Sequence, residues 1–354
     1  MASAVRKHKV HSSECTDADV EQTPLSESPT GVHGTSDGGV TGKHPEAPAL
    51  EFLVAPATVG EQNTIRLRLV PVACWRVDDV RFAFDSSFVT PDVTDELQML
   101  VRLRNEHKDA LGRYPPLSVF GHADPTGSDD YNKTLSGRRA MAVYAVLISN
   151  SEPGHAVSLW QEIARGESWG NRQRQTMQEA TGLPPGTSDS ALFQSYFAKL
   201  CPPELSLAPG DFLAQGIDAR GKGDYQGCSR FNPLLVFSQP DEQRYEQAKA
   251  DNDDATLAAR NAANASNRRV LVLLFRPGSQ IVPSQWPCPR ATEGKDGCIA
   301  RFWSDGEKRR STHLATERRY EKTKDTFACR FYDRLSSNSP CEQHIILEEY
   351  QFSM

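Results

Sequence analysis

Apolar and polar positions change their spacing several times along the chain, and each change marks an element. Residues 1–49 are rich in Ser, Thr, Gly, Asp, Pro and His with hardly any aliphatics. Such a segment cannot bury enough apolar surface to offset its ordering entropy, so disorder is expected there. Between Thr64 and Val72, IRLRLVPV alternates branched apolar with polar residues, the period of a half-buried strand. Val80, Phe82 and Phe84 alternate in the same way and predict a second strand that ends at Asp85-Ser86-Ser87. Pro91, Thr94 and Asp95 signal a helix start, and Leu97, Leu100, Val101 and Leu103 supply its apolar stripe.

Pro115 and Pro116 close that connection, and Leu117–Phe120 reads as a short apolar strand. The turn Gly121–Gly127 leads into a helix from about Tyr131 to Ile148. Helical character recurs at Trp160–Glu179 and Ser190–Leu200, and Asn232–Phe237 reads as a short strand. Asp241–Ser266 is charged and alanine-rich, a solvated helix, and leads into the apolar run Arg269–Phe275, bounded by Pro277-Gly278. The order strand-helix-strand-helix, insertion, helix-strand predicts an α+β fold. It is an α/β sandwich with helices on one face of a small mixed sheet.

Composition narrows the function. A net charge of −6 and a pI near 5.9 give no general electrostatic reason to seek nucleic acid or anionic lipid. No stretch approaches the roughly 18–20 apolar residues of a membrane span. The opening MASAVRKHKVHSSECTDADV lacks an apolar h-region, and Cys15 has no hydrophobic run before it, so neither a secretory signal nor a lipoprotein cysteine is expected. Of the eight cysteines, Cys288, Cys298, Cys329 and Cys341 lie near the end; they could form two disulfides or stay reduced, and no CxxC pair points to zinc.

The densest chemistry lies in LSVFGHADPTGSDDYNKTLSGRRAMAVYAVL, residues 117–147. On its helix Asn132, Leu135, Arg139, Ala142, Val143 and Val146 share one face, which places Arg139 on the inward stripe while Arg138 points aside to water. An inward guanidinium needs an acceptor, and Asp124, in the loop feeding the same helix, is the expected partner. A carboxylate and a guanidinium at the rim of one pocket can also hold a zwitterion. A structural ion pair without ligand is the competing reading. For Asn132 and Leu135 taken singly, capping and core packing compete in the same way. Arg268 and Arg269, beside the last strand, are open to both fold maintenance and ligand contact.

These residues resemble a known family. FAFDSSFVTPDVTDELQMLVRLRNE, the 117–147 block and SNRRVLVLLF are similar to the three signature blocks of the OmpA C-terminal family, which includes peptidoglycan-associated lipoproteins and flagellar stator anchors. The middle block follows the pattern GHTDxxGxxxYNxxLSxxRA, with Ala123 where Thr is usual. The resemblance implies non-catalytic binding of peptidoglycan through the diaminopimelate of the stem peptide, anchoring the protein or an attached assembly to the bacterial cell wall. It implies that Asp124 meets the ligand's ammonium-bearing centre and that Arg139 clamps a carboxylate. It further implies that Phe84 and Asp85 line the pocket at a strand end and that Asn132 and Leu135 flank it at the helix start. No cofactor, metal or catalytic residue is implied.

Two departures stand out. Arg139 and Asn267 are 128 positions apart, so the domain, residues 50–278, is expected to be interrupted by an insertion at about 150–230. Trp160, Trp169, Phe193, Tyr196 and Phe197 are read as that insertion's own core. Its glycine-rich stretch around Gly221-Lys222-Gly223 lacks phosphate-loop spacing and is read as replacing the family's short glycine-containing strand. Residues 279–354 form a cysteine-containing extension outside the family domain. It carries a small basic patch at Lys308, Arg309 and Arg310, and has His313 and His344 without recognised metal-ligand spacing. No GxSxG or HExxH motif is present.

Two alternatives to wall binding remain: a peptidoglycan-remodelling enzyme with an unrecognised catalytic module, and a wall-anchoring component or cargo of a type VI-like contractile injection system. The expected partners are peptidoglycan and, for the last reading, an envelope-spanning assembly. The expected location is the cell envelope at the wall. It would be reached by non-classical export or through a leader that a misassigned start leaves out.

Overall fold

A computed structural model describes residues 69–299, apart from 84, 125, 219–220, 236–238, 284–285, 287, 292 and a few side chains, together with Cys329, Phe331, Tyr332 and Leu335. The expected disorder of residues 1–49, the start of the strand expected from Thr64, Phe84, the basic patch, His313 and His344 lie outside the described residues.

Four strands form one mixed sheet in the order β1-β4-β2-β3. β1 is Pro71–Asp78, β2 is Leu117–His122, β3 is Tyr225–Gly227 and β4 is Arg269–Phe275. β4 pairs antiparallel with both β1 and β2, through Val272↔Trp75 and Val272↔Val119, while β2 pairs parallel with β3. The strand expected over Val80–Phe84 is corrected. Asp79–Arg81 is a 3-10 turn, and Phe82 makes only an isolated bridge to Val89. The reason is register: β1 has used β4 down to Asp78↔Arg269, the first residue of β4, so the chain beyond has no strand to pair with. The short strand expected at Asn232–Phe237 is also corrected. Asn232 has φ +57 and Pro233 follows, neither suited to a central strand, and the edge position is taken by β3 within the glycine-rich stretch.

Helix α1 spans Thr94–Glu106 and buries Leu97, Leu100 and Leu103; α2 spans Asp129–Ile148. The insertion supplies α3 (Pro153–Glu167), α4 (Asn171–Thr181) and α5 (Asp189–Leu200). A solvated helix was expected over Asp241–Ser266. It is split into α6 (Gln239–Asp251) and α7 (Asp254–Ala263) by Asn252, whose φ of +55 breaks the helical path. A single turn, α8 (Asp296–Ile299), lies in the extension.

Every residue of β4 is buried, and its side chains divide by parity. Val270, Val272 and Leu274 join the core made with α1, α2 and the insertion helices, while Leu271, Leu273 and Phe275 join a second core with Phe120, Trp286, Cys298 and Tyr332. Burial on both faces explains why this strand reads as an unbroken apolar run rather than an alternation. The described part of the extension packs against the sheet. Trp286, Cys298, Cys329, Tyr332 and Leu335 cover the sheet face opposite the long helices. Lys133 of α2 is fully buried and donates to the carbonyls of Arg290 and Ala291 at 3.0 and 3.1 Å, which straps this segment down.

The insertion does not keep its aromatics to itself. Phe88, from the loop after β1, sits with its ring centroid 5.9 Å from Trp160, 5.2 Å from Trp169 and 5.7 Å from Tyr196. The Trp160 indole donates to the Ala142 carbonyl of α2, and the Tyr196 hydroxyl to that of Val89. α3 thus covers the side of α2 that turns away from the sheet, with α5 packed against α3, and α2 is buried nearly all round. Cys74 is disulfide-bonded. Cys288 is a thiol, so the extension's four cysteines do not form two disulfides.

Two predictions follow from this packing. A Cβ on Gly121 would lie 2.0 Å from the backbone oxygen of Ser136, so β2 and α2 approach as closely as they do only because Gly121 has no side chain. Gly121→Ala should lower stability by about 1–3 kcal/mol, read as a reduced urea midpoint with unchanged slope. Asp224 is fully buried, accepts the Ala214 amide at 3.2 Å and lies 3.3 Å from the Tyr144 hydroxyl. Burial pushes its carboxyl up to about 8. A carboxyl raised on folding adds stability below its unfolded pKa and loses it as pH climbs through the folded value. The melting temperature of the wild type should therefore fall between about pH 4 and pH 8, and Asp224→Asn should flatten that fall.

Candidate functional site

The end of β1, the end of β2 and the start of β4 meet at one end of the sheet, because Asp78 and His122 both pair with Arg269. Asp79 leaves β1 there, Asp124 leaves β2 and Arg268 enters β4. Arg139 reaches the same place from the third turn of α2, whose start is fixed by the Ser128 hydroxyl accepting the Tyr131 amide.

Four charges form a chain. Arg139 Nη1 lies 3.1 Å from Asp79 Oδ1, Arg268 Nε lies 2.7 Å from Asp79 Oδ2, and Arg268 Nη1 lies 2.7 Å from Asp124 Oδ2. Two guanidinium groups and two carboxylates cancel. Only Arg139 is buried from solvent: its side chain is 2% exposed, against 13% for Arg268, 15% for Asp124 and 24% for Asp79. Arg139 also donates from Nε to the Ser86 carbonyl at 3.1 Å and stands 4.9 Å from the centre of the Phe82 ring. Its Nη1 contact with Asp79 has ion-pair distance without hydrogen-bond alignment. Burial lowers the Arg139 pKa, and Asp79 offsets this only in part. For Arg268 burial also works downward, but the hydrogen bonds to Asp124 and Asp79 outweigh it and hold its proton more firmly.

Asp124 is not the partner of Arg139, which corrects the pairing expected from the sequence. Arg268 takes the outer oxygen of Asp124, and the Thr126 amide donates to the other at 2.8 Å. Asp79, at the nearer strand end, is the ion-pair partner of Arg139 instead. Asn132 is buried and stitches the same loop, donating to the carbonyls of Thr126 at 2.7 Å and Asp124 at 3.3 Å. Arg269 is fully buried, whereas Arg268 belongs to the charge chain.

Asp85 and Leu135 belong to a different feature. Together with Asp130, Tyr131, Thr134, Arg138 and Glu167 they line an open groove of about 310 Å³ on the outer side of α2. Asp85 has φ +52 and accepts the Tyr131 hydroxyl. Burial and that carboxylate raise Tyr131 to about 12. Between groove and charge chain runs the loop of Ser86 and Ser87, held by Glu167 of α3. Glu167 accepts Ser86 Oγ at 2.7 Å, the Ser87 amide at 2.9 Å, Ser87 Oγ at 2.6 Å and the Trp169 indole at 2.8 Å. Arg138, expected to face water, lies against α3.

Sequence reading missed Asp79, Ser86 and Glu167. The Asp78-Asp79 doublet before a 3-10 turn is a signal for the first; nothing in the sequence announces the other two, since Glu167 acts across 80 and 81 positions. His122 is a buried neutral imidazole, its pKa driven well down by burial, and packs edge-on to Tyr332. Among the described residues no group of three or more His, Cys, Asp or Glu side chains could hold a metal ion, and no helix is long and apolar enough to cross a membrane.

Comparison with known proteins covers part of this region; Asp79 and Arg268 lie outside the stretch matched by the family model. The chain is 37% identical over 92 residues to outer membrane porin F of Pseudomonas fluorescens, covering 25% of each protein. It is 33% identical over 109 residues to outer membrane porin F of Pseudomonas aeruginosa, covering 30% of this chain and 27% of that one. It is 41% identical over 68 residues to outer membrane protein 41 of Porphyromonas gingivalis, covering 19% and 16%. The chain thus spans about a quarter or less of the length of these curated relatives. No solved structure matches it. The model of the OmpA family matches residues 81–181, which hold Asp124, Arg139 and every residue lining the groove, and this part of the chain is an OmpA-like domain.

Proposed function

We propose that this chain binds peptidoglycan without catalysis, through the diaminopimelate of the stem peptide, and so anchors itself or an attached assembly to the cell wall within the cell envelope. Two facts support the reading: the OmpA-like domain, and relatives whose names place them in the outer membrane. The observation that carries it is the charge chain Arg139–Asp79–Arg268–Asp124, neutral overall and reachable from solvent at Asp79, Arg268 and Asp124.

Diaminopimelate presents ammonium and carboxylate groups at fixed separation, a complement to alternating carboxylates and guanidinium groups. On binding, the ligand's ammonium exchanges with Arg268 at Asp124, and a ligand carboxylate takes the place of Asp79 beside Arg139. Internal partners already satisfy these charges, so each new bond replaces an old one. The net gain is well below the roughly 1.5–3 kcal/mol of a fresh charge-assisted hydrogen bond. A single site is then modest in affinity, and many copies on a repeating lattice gain by avidity.

Sedimentation with purified sacculi tests the reading. The wild type should co-sediment and be released by free meso-diaminopimelate. Asp124→Asn and Arg139→Lys should each weaken retention about tenfold or more while their circular dichroism spectra stay native. Full retention of both folded variants would refute the assignment.

A further inference from the structure

Asp79 joins the most exposed carboxylate of the charge chain to its one buried guanidinium, and its two contacts are unequal. Its Oδ2 accepts a hydrogen bond from Arg268 Nε at 2.7 Å. Its Oδ1 stands 3.1 Å from Arg139 Nη1, a nitrogen that is buried and has no hydrogen-bond partner among the described residues. A dehydrated guanidinium nitrogen with an opposite charge nearby but no aligned acceptor is incompletely matched. The backbone of Asp79 is fixed, since Asp78 pairs with Arg269 and the Phe82 amide donates to the Asp79 carbonyl at 2.9 Å. Only the side chain can move. Being 24% exposed, it can leave Arg139 by a change of rotamer toward solvent.

Such a move opens the one place from which a carboxylate outside the chain can reach Arg139. A ligand carboxylate then takes the place of Oδ1, and a ligand ammonium replaces Arg268 at Asp124. The contact between Asp79 and Arg268 persists, so no charge loses its opposite neighbour. We propose that Asp79 is an internal competitor of the ligand, whose carboxylate occupies Arg139 in the free protein and must be displaced by a carboxylate the ligand brings. The inference rests on the proposed function and adds what sets its affinity and selectivity. A site that is competent only while Asp79 stands aside binds more weakly, by the inverse of the fraction of time it is open. A ligand with amines alone can meet Asp124 but has nothing to offer Arg139.

Calorimetric titration of the full chain tests this with meso-diaminopimelate and with cadaverine, which is diaminopimelate stripped of both carboxylates. Asp79→Asn, nearly the same size, should bind diaminopimelate about tenfold more tightly than the wild type, as for a site open about one-tenth of the time. It should bind cadaverine no more tightly. Asp78→Asn removes the same charge one residue away, where the side chain pairs with Arg76, and should stay within about twofold of the wild type. The free Asp79→Asn variant should melt below the wild type, and saturating diaminopimelate should raise its melting temperature further than it raises that of the wild type. A folded Asp79→Asn that binds diaminopimelate no more tightly, or that gains equally for cadaverine, overturns the competitor. If the variant fails to fold, a crystal structure of the wild type with diaminopimelate decides. A ligand carboxylate on Arg139 Nη1 with Asp79 withdrawn supports the inference, and Asp79 still beside Arg139 overturns it. The proposed function survives either refutation provided Asp124→Asn weakens wild-type binding. A wild type and an Asp79→Asn variant that both fail to bind diaminopimelate overturn both.

Discussion

The guanidinium of Arg139, 2% exposed on the inward stripe of α2, is the constraint on which the neighbouring structure depends. Removing such a charge from water costs several kcal/mol, and the protein recovers it only with well-placed acceptors. Three groups do so: the Asp79 carboxylate, the Ser86 carbonyl and the face of Phe82. To deliver them, β1 must stop at Asp78 and turn at once, and the chain from Phe82 to Phe88 must fold back toward α2. Phe88 anchors that return among Trp160, Trp169 and Tyr196, and Glu167 ties down the two serines. The inserted helices thus hold the loop that holds the arginine.

Sheet packing fixes the other end of the arrangement. With both faces of β4 covered, the sheet is a rigid partition, and polar groups can gather only where its strands end. Asp79, Asp124 and Arg268 gather there, and their exposure grades from a buried guanidinium to carboxylates at the rim. A chain of alternating charges is stable without ligand because each member has an opposite neighbour. It can also exchange partners one bond at a time without leaving an unpaired charge in the free protein.

What the sequence disclosed depended on how local the physics was. β4, α1 and α2 were legible because a seven-residue apolar run and a helical stripe are set by neighbours in the chain. The inward placement of Arg139 followed from helical period alone. Its partner did not: Asp124 is the nearest suitable carboxylate in the sequence, but Arg268, 144 positions away, claims it, and Asp79 reaches Arg139 only through the sheet register. β3, three residues among glycines, has no period to read. The merging of the insertion with the main core was hidden because Phe88 and Trp160 meet only in three dimensions.

The doublet Arg138-Arg139 condenses these points. Adjacent residues on a helix are rotated by about 100° from one another, so two identical side chains leave α2 toward different surroundings. One is drawn under the strand-end loop, where it is dehydrated and matched. The other passes over that loop to rest on Gly166, where it keeps its charge without a partner among the described residues. The first needs the frame of β1, β2 and α2, and the second needs α3. Neighbours in the sequence, the two guanidinium groups thus depend on different parts of the fold, one on the strand ends and the other on the inserted helix.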